Sequence, residues 1–556
     1  MSTILRQLSV PAFALLLAAC GKSADPNLPL AYVPADSPYV FANVEPVPKA
    51  VIEQWMGKMQ QVWPLSLAMY QRMLDGAKDV DEPTRRTVSA ILEEFKAHDS
   101  LDKLREIGIK FDAHMAIYGI GLIPVVRLEL ADTTAFKAAV SRIEAKAGAK
   151  LVTAKLGEQE YWQLGNDKLV GIAALIDGQL VLTFAPKDAS EGLRKQLLGI
   201  ERPAKSMLDG DALGAFNRQH AYLPYGSGYV DSARVVELAV GEPNAAQREF
   251  AAAMGAPSVV ANAVCHKEFL DIAHKFPRLD LGYSELSAQR MSIQALLELE
   301  PALASAVSGA VGVAPGSGGP IEGIVDFSLA MPILKLKDFW LKQLGAAAAA
   351  PFACAELAEL NTSISESKGK LDTTIPPPLS DLTGARISLS RFAMGADGKP
   401  DGSGKIVVGL TNPMGAIAMG QLAVPQLKDV KLSPDGKTVA LPADLAAGYP
   451  PLFAAMSDKA IAIAVGKDEQ ATLSTFLAAP TSKDAVFMRM GFTGEFYGLL
   501  GDFMQKAVSS MPEEQRAMMA EQGKLFAFYR QWLRTVEINL TAKDSGIEIR
   551  ETVEFN

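Results

Sequence analysis

The chain has few cysteines, few histidines and no long apolar run. Three cysteines and five histidines occur among 556 residues, and the histidines lack the spacing of known metal motifs. The densest group, Cys265, His266, Glu268 and His274, is more typical of a solvated helix face. No stretch reaches eighteen consecutive apolar residues, which a membrane-spanning helix would need. The sequence therefore predicts neither a metal site nor a transmembrane helix.

Basic residues are also too few for a nucleic-acid-binding protein. Lysine and arginine number 54 against 63 acidic residues, which gives a net charge of −9. Nucleic-acid binding requires basic surface that displaces counterions, so this partner class is excluded. Binding to anionic lipid by charge alone is disfavoured for the same reason. An apolar fraction of 49% is typical of a globular protein, and the length predicts more than one packed unit.

Complete catalytic motifs are missing as well. Ser365-Glu366-Ser367-Lys368 matches the Ser-x-x-Lys of penicillin-binding enzymes, but neither Ser-Asp-Asn nor Lys-Thr-Gly accompanies it. The chain is therefore predicted not to be an enzyme. A periplasmic hydrolase assembled from distant residues stays an alternative, and a cleft in which His220 or His274 meets a nucleophile would favour it.

The N-terminal stretch AFALLLAACGKSAD (12–25) has the features of a targeting signal. Arg6 is the only charged side chain before Cys20, and Leu8–Leu17 has the length of a signal-peptide core. The segment Leu-Ala-Ala-Cys that ends at Cys20 resembles the lipobox of bacterial lipoproteins. This resemblance implies cleavage between Ala19 and Cys20 and acylation of the cysteine. An ordinary secretory signal with an incidental cysteine is the alternative.

The lipobox resemblance implies that the protein is located in the cell envelope. Residues 1–19 would be the signal peptide, and 20–27 would be the lipidated cysteine with a short tether. Gly21 stands where many Gram-negative lipoproteins retained in the inner membrane carry aspartate, which favours the periplasmic face of the outer membrane. More than one acyl chain, such as palmitate, gives stable anchoring. This covalent lipid on Cys20 is the only prosthetic group predicted.

Cys265 and Cys354 are the two remaining cysteines. In an oxidising compartment an even number of thiols favours a disulfide. Two buried free cysteines are the alternative, and a reactive thiol is disfavoured because neither cysteine has a clearly basic neighbourhood.

Two pairs of segments indicate an internal repeat. VLTFAPKDASEGLRKQLL (181–198) aligns without gaps with IAIAVGKDEQATLSTFLA (461–478), and the ends of the two halves, 273–300 and 529–556, also match as a helix end followed by two strands. Each unit reads as strand, helix, antiparallel strands and helix. The predicted fold is therefore α+β with two related halves, 28–300 and 301–556. Chance similarity of α+β units is the alternative.

Local signals place several element boundaries. Asp177-Gly178 between apolar runs predicts a hairpin turn. Asn412 before Pro413 predicts a helix start, and Asp188 and Asp468 are predicted to cap helices.

Two features are candidates for recognition. Tyr222, Tyr225 and Tyr229 surround two glycines and could form a binding loop, or a turn packed on a strand. Residues 55–73 and 503–533 are rich in methionine and aromatic residues. They could line a groove for acyl chains or unfolded outer-membrane chains, or they could be ordinary core.

The motif Val-Pro-Ala-Asp-Ser-Pro at 33–38 is the third feature of a resemblance to a known family. With the lipobox and the strand–helix unit, it resembles the opening of a group of uncharacterised Gram-negative outer-membrane lipoproteins. The resemblance implies no known activity. The predicted function is a non-enzymatic binding, scaffold or assembly protein of the envelope, with an envelope protein as partner. A carrier or chaperone for lipid or other apolar cargo is the alternative.

Overall fold

A computed structural model gives the fold of the chain. The predicted signal peptide, Ala19 and Cys20 lie outside the residues that it describes, so lipidation stays a prediction. Helices and antiparallel strands both occur in it, and the predicted α+β class is confirmed. The structure describes residues 25–77, 81–165, 168–255, 261–394, 400–446, 450–508 and 513–556.

Seventeen helices and nineteen strands lie within these ranges. The helices are α1 (Lys49–Met59), α2 (Trp63–Gly76), α3 (Glu82–Ala97), α4 (Leu101–Glu106), α5 (Thr133–Ala147), α6 (Glu191–Leu198), α7 (Ala212–His220), α8 (Ser232–Val240), α9 (Ala245–Met254), α10 (Ala263–Lys275), α11 (Pro301–Val311), α12 (Ile333–Ala349), α13 (Ala358–Leu371), α14 (Pro413–Ala423), α15 (Leu473–Leu477), α16 (Gly494–Val508) and α17 (Glu513–Trp532). The strands are β1 (Tyr39–Ala42), β2 (Met115–Ile120), β3 (Ile123–Glu129), β4 (Val152–Leu156), β5 (Gln159–Gly165), β6 (Leu169–Ile176), β7 (Gln179–Pro186), β8 (Ser227–Asp231), β9 (Arg278–Leu286), β10 (Arg290–Glu298), β11 (Val325–Ala330), β12 (Leu382–Met394), β13 (Pro400–Leu410), β14 (Val439–Ala440), β15 (Leu452–Met456), β16 (Ala460–Val465), β17 (Val486–Thr493), β18 (Leu533–Lys543) and β19 (Gly546–Phe555).

All nineteen of these strands belong to one sheet, and every pairing among them is antiparallel. Following hydrogen-bonded neighbours gives the order β4-β5-β6-β7-β3-β2-β1-β8-β9-β10-β19-β18-β17-β11-β12-β13-β16-β15-β14. Helices connect the strands that are not joined by hairpins.

The pair β10–β19 joins the earlier and later parts of the chain. Its register runs from Arg290 opposite Glu554 to Glu298 opposite Gly546, and Gln294 faces Arg550 near its middle. A backbone ladder therefore links segments that are about 250 residues apart in sequence.

Two of the predicted boundaries are confirmed. Asp177 and Gly178 connect β6 to β7 with φ values of 50° and 80°, as a tight hairpin turn requires. Helix α14 begins at Pro413, and the Asn412 side chain accepts a hydrogen bond from the Gly415 amide at 2.9 Å.

The two predicted aspartate caps are wrong. Ser190 caps α6 by accepting from the Leu193 amide at 3.2 Å, because it directly precedes the first helical residue. Asp188 lies two residues too early to reach that amide. Asp468 lies in a short 3₁₀ turn that has no side-chain cap.

The largest apolar cluster lies against β1–β3, β6 and β7 and includes side chains of α6 and α7. Tyr118 and Val125 of the sheet contact this core, and Leu197, Leu198 and Leu213 contribute from the helices. Each of these five residues is at most 1% exposed. Such close packing fixes the strands on which the candidate sites are built.

Several charged side chains are buried within the sheet. Arg127 is fully buried, lies 3.5 Å from the centre of the Tyr32 ring and donates to the carbonyl of Leu198. Arg386 forms two hydrogen bonds to Asp326, and both residues are 1% exposed. Buried charges need such partners because desolvation is otherwise very costly.

Candidate functional site

A groove lies between helices α8 and α9, the β2–β3 hairpin and the Val-Pro-Ala-Asp-Ser-Pro segment at 33–38. Its polar end has a volume of about 440 Å³, and its apolar end has a volume of about 300 Å³. Ile120, Leu238 and Ala246 line both ends, so the two form one depression. We call it the α8–α9 groove.

Backbone hydrogen bonds hold the segment 33–38 at the polar end of the groove. Val33 accepts from the Met207 amide at 2.8 Å, and the Ala35 amide donates to the Lys205 carbonyl at 3.0 Å. The buried Ser37 hydroxyl lies 2.9 Å from the Gly119 carbonyl and accepts from the Gly119 amide at 3.1 Å. This segment therefore has a defined position against the β2–β3 hairpin.

Tyr32 anchors the polar end between two arginines. The guanidinium carbons of Arg127 and Arg202 lie 3.5 and 4.4 Å from the centre of its ring. Its hydroxyl donates to Asp177 at 2.5 Å and accepts from Arg202 at 2.8 Å. Burial and the hydrogen bond to Asp177 raise the pKa of Tyr32 to about 12, so the hydroxyl stays protonated.

Charges of both signs line the polar end. Arg234 donates to Asp36 at 2.9 Å, and Glu201 lies near Arg202 in the same lining. A balanced set of donors and acceptors suits a neutral, peptide-like ligand better than a single anion.

The apolar end is lined by large side chains of the sheet and of α9. Phe184 and Phe250 have ring centroids 5.8 Å apart, and Ile123 and Ala251 complete the wall. Leu122 at the hairpin tip is 39% exposed. This end can take one large apolar side chain or part of an acyl chain.

The three tyrosines of the predicted binding loop are buried to different degrees. Tyr222 is 6% exposed and stacks on His220, whereas Tyr225 and Tyr229 are half-buried. Tyr229 packs on Phe216 at 5.4 Å. The three side chains therefore do not form one exposed patch, and a binding role for them stays a prediction.

His220 instead belongs to a group of one buried and two half-buried polar side chains that we call the His220 cluster. His220 ends α7, Asp280 lies in β9, and Glu298 ends β10. Nitrogen or oxygen atoms of the three side chains lie within 4.8 Å of one another. His220 Nδ1 and Asp280 Oδ2 are 3.6 Å apart, which is too long for a hydrogen bond.

Asp280 carries the most unusual electrostatics of this cluster. It is fully buried, its carboxyl group shares a hydrogen bond with Glu298, and no other described residue donates a hydrogen bond to its oxygens. Burial and the nearby Glu298 charge raise the pKa of Asp280 to about 7, although Arg278 at 3.9 Å acts in the opposite direction. Burial also lowers the pKa of His220.

Sequence reasoning missed Asp280 and Glu298 because neither lies in a motif. In β9, Leu279 and Leu281 are 45% and 38% exposed, whereas Asp280 between them is fully buried. The alternation is therefore the reverse of what hydrophobicity predicts. A lone aspartate between leucines was the only sequence signal.

The predicted disulfide is present between Cys265 and Cys354. The two Cα atoms lie 4.7 Å apart, and both residues are 1% exposed. Glu268 of α10 supports the contact by accepting from the amides of Ala353 and Cys354 at 2.8 and 3.0 Å.

The two methionine-rich stretches meet in space. Arg72 of α2 lies 3.4 Å from Glu521 of α17. A cavity of about 580 Å³ between α16 and α17 is lined in part by Met504 and Met519, and Tyr497 lies at its wall. No helix among the described residues combines the length and the apolarity needed to cross a membrane.

The chain has no match among protein-family models, curated proteins or solved structures. The α8–α9 groove and the His220 cluster are the features from which a function can be inferred.

Proposed function

We propose that this protein is a lipid-anchored binding protein of the bacterial cell envelope, with a scaffold or assembly role at the periplasmic face of the outer membrane. The α8–α9 groove is the observation that carries this proposal. Its apolar end fits a large side chain, and its polar end offers donors and acceptors of both charges. This combination suits an extended segment of a partner protein.

The position of the groove relative to the lipobox supports the proposal. Tyr32 lines the groove and lies twelve residues after Cys20 in the chain. An extended chain spans at most ~3.6 Å per residue, so the tether would keep the groove within roughly 40 Å of the lipid. A partner bound there would be held near the membrane surface.

The strand order supports two related halves, 28–300 and 301–556. Read outward from the central pair, both sides have matching connections and hairpins. The alignment of 273–300 with 529–556 places Gln294 on Arg550, and these two residues also face each other in the sheet. The two outward orders are β10-β9-β8-β1-β2-β3-β7-β6-β5-β4 and β19-β18-β17-β11-β12-β13-β16-β15-β14, so β4 is the one strand without a counterpart among the described residues.

Carriage of apolar cargo is the second candidate. The cavity between α16 and α17 favours it, because Met504 and Met519 offer flexible apolar side chains. A cargo of this kind would occupy a site distinct from the α8–α9 groove.

A photo-crosslinking amino acid at Leu122 is expected to give a defined protein adduct in intact cells. Ala246→Trp should reduce this adduct about tenfold, because an indole at a residue shared by both ends of the groove would cost roughly 1.4 kcal/mol or more of binding. The adduct is measured by gel mobility and mass spectrometry.

Ala252→Trp is the matched control, since Ala252 is exposed on the same helix and does not line the groove. Equal adduct in both tryptophan variants would contradict binding in the groove. An adduct with the mass of a lipid would favour the carrier function instead.

Cys20→Ser is expected to abolish anchoring, because serine lacks the thiol that accepts the diacylglyceryl group. Membrane fractionation should show the uncleaved precursor or a soluble protein. Gly21→Asp is the matched variant, and it should keep the lipid but move the protein to the inner membrane. Cleavage and outer-membrane recovery of Cys20→Ser would refute the proposed anchor.

A further inference from the structure

We propose that His220, Asp280 and Glu298 bind one divalent transition-metal ion, of which Zn²⁺ and Mn²⁺ are the probes to use. This site is separate from the α8–α9 groove and does not depend on the proposed function. One imidazole and two carboxylates form a donor set that such ions accept.

The spacing of the ligand atoms fits a shared ion. Two ligands about 2.05 Å from a tetrahedral ion lie roughly 3.4 Å apart. His220 Nδ1 and Asp280 Oδ2 are 3.6 Å apart, close to this value and beyond hydrogen-bond range. Since the whole set lies within 4.8 Å, a small rotation of Glu298 would complete three protein ligands.

Unpartnered polar atoms are concentrated at the same place. The oxygens of Asp280 accept no hydrogen bond from a described donor apart from the carboxyl group of Glu298, and Nε2 of His220, across the ring from the proposed ligand Nδ1, has no partner among the described residues. The hydroxyl of Tyr222, which stacks on His220, is buried without a partner in the same part of the structure. Buried polar groups normally have partners, so this concentration points to a bound ligand.

The β18–β19 hairpin, which corresponds to β9–β10 in the proposed repeat, has carboxylates that are paired with arginines. Glu537 on β18 occupies the ladder position that matches Asp280 on β9, and it accepts from Arg489 at 2.9 Å. Glu554, which aligns with Glu298, accepts from Arg534. At the His220 cluster, Arg278 is the one lysine or arginine beside Asp280 in the part of the chain that the structure describes, at 3.9 Å.

Charge balance therefore favours a cation. Once both carboxyl groups are ionised, their charge exceeds the single positive charge of Arg278, and a neutral imidazole adds a donor but no charge. A divalent ion would offset the excess in a region from which water is largely excluded. The remaining coordination positions would be open to water or to a ligand.

The test is metal binding to the purified full-length protein after removal of metal with a chelator. Equilibrium dialysis against Zn²⁺ or Mn²⁺, followed by elemental analysis, should give one ion per chain, and the ion should raise the melting temperature. Asp280→Asn and Glu298→Gln keep the side-chain shapes and should each weaken binding at least about tenfold, a loss typical of changes around metal sites. His274→Ala removes an exposed histidine of α10 and should leave binding unchanged.

Circular dichroism checks that each variant is folded. If one carboxylate variant fails to fold, the test uses His220→Ala and the remaining carboxylate variant, each measured separately. Less than one tightly bound ion in the wild-type protein would overturn the proposal, whatever the variants do. Binding that persists in Asp280→Asn, Glu298→Gln and His220→Ala would overturn it as well.

Discussion

Replacing Cys265 and Cys354 together with alanine is expected to lower the free energy of unfolding by about 4 kcal/mol. The bridge closes a loop with a sequence separation of 89, and loop closure of this length removes about 4 to 5 kcal/mol of chain entropy from the unfolded state. Urea unfolding followed by tryptophan fluorescence measures the loss.

Reductant provides the control for this experiment. It should destabilise the wild-type protein by a similar amount and leave the double alanine variant unchanged, because that variant has no bridge to lose. An unfolding midpoint of the wild-type protein that does not move with reductant would contradict the prediction.

Asp326→Asn is expected to destabilise the protein by about 3 to 5 kcal/mol. Arg386 and Asp326 are each 1% exposed and are joined by hydrogen bonds of 3.0 and 2.6 Å. Removal of the carboxylate charge leaves a guanidinium that is buried beside Phe476 and has lost its hydrogen-bonded counter-ion, with Glu322 farther away at 3.9 Å. The loss is measured as a change in the urea midpoint at constant slope.

Two further variants separate charge from packing. Arg391 and Asp401 form the same two-point contact, but they are 54% and 50% exposed, so Asp401→Asn should leave stability essentially unchanged. The double variant Asp326→Leu with Arg386→Met should recover most of the loss, because it leaves no buried charge. A large effect of Asp401→Asn would show that burial is not the cause.

Local chemistry made several structural features predictable from the sequence. The Asp177-Gly178 turn and the helix start at Asn412 depend on residues next to each other, whose conformational preferences act over a few positions. The Cys265–Cys354 bridge was predictable for a different reason, since an even number of thiols in the predicted oxidising compartment favours a disulfide. Even local reasoning erred at Asp188, because Ser190 lay nearer the helix.

The candidate sites could not be predicted in this way. His220, Asp280 and Glu298 come together only because β9 pairs with β10 and α7 packs over them. The α8–α9 groove likewise combines residues from the start of the chain with Arg234 and Ala246. Such proximity depends on strand order and register, which cannot be read from a single sequence.

The ladder between β10 and β19 has a consequence for the proposed duplication. If the two halves are related as proposed, Gln294 faces its own aligned counterpart, Arg550, and the last strand of one half pairs with the last strand of the other. Two copies of a single half would form a two-fold symmetric dimer through the same contact. Fusion of those copies into one chain would replace an association that weakens on dilution by one that is independent of protein concentration.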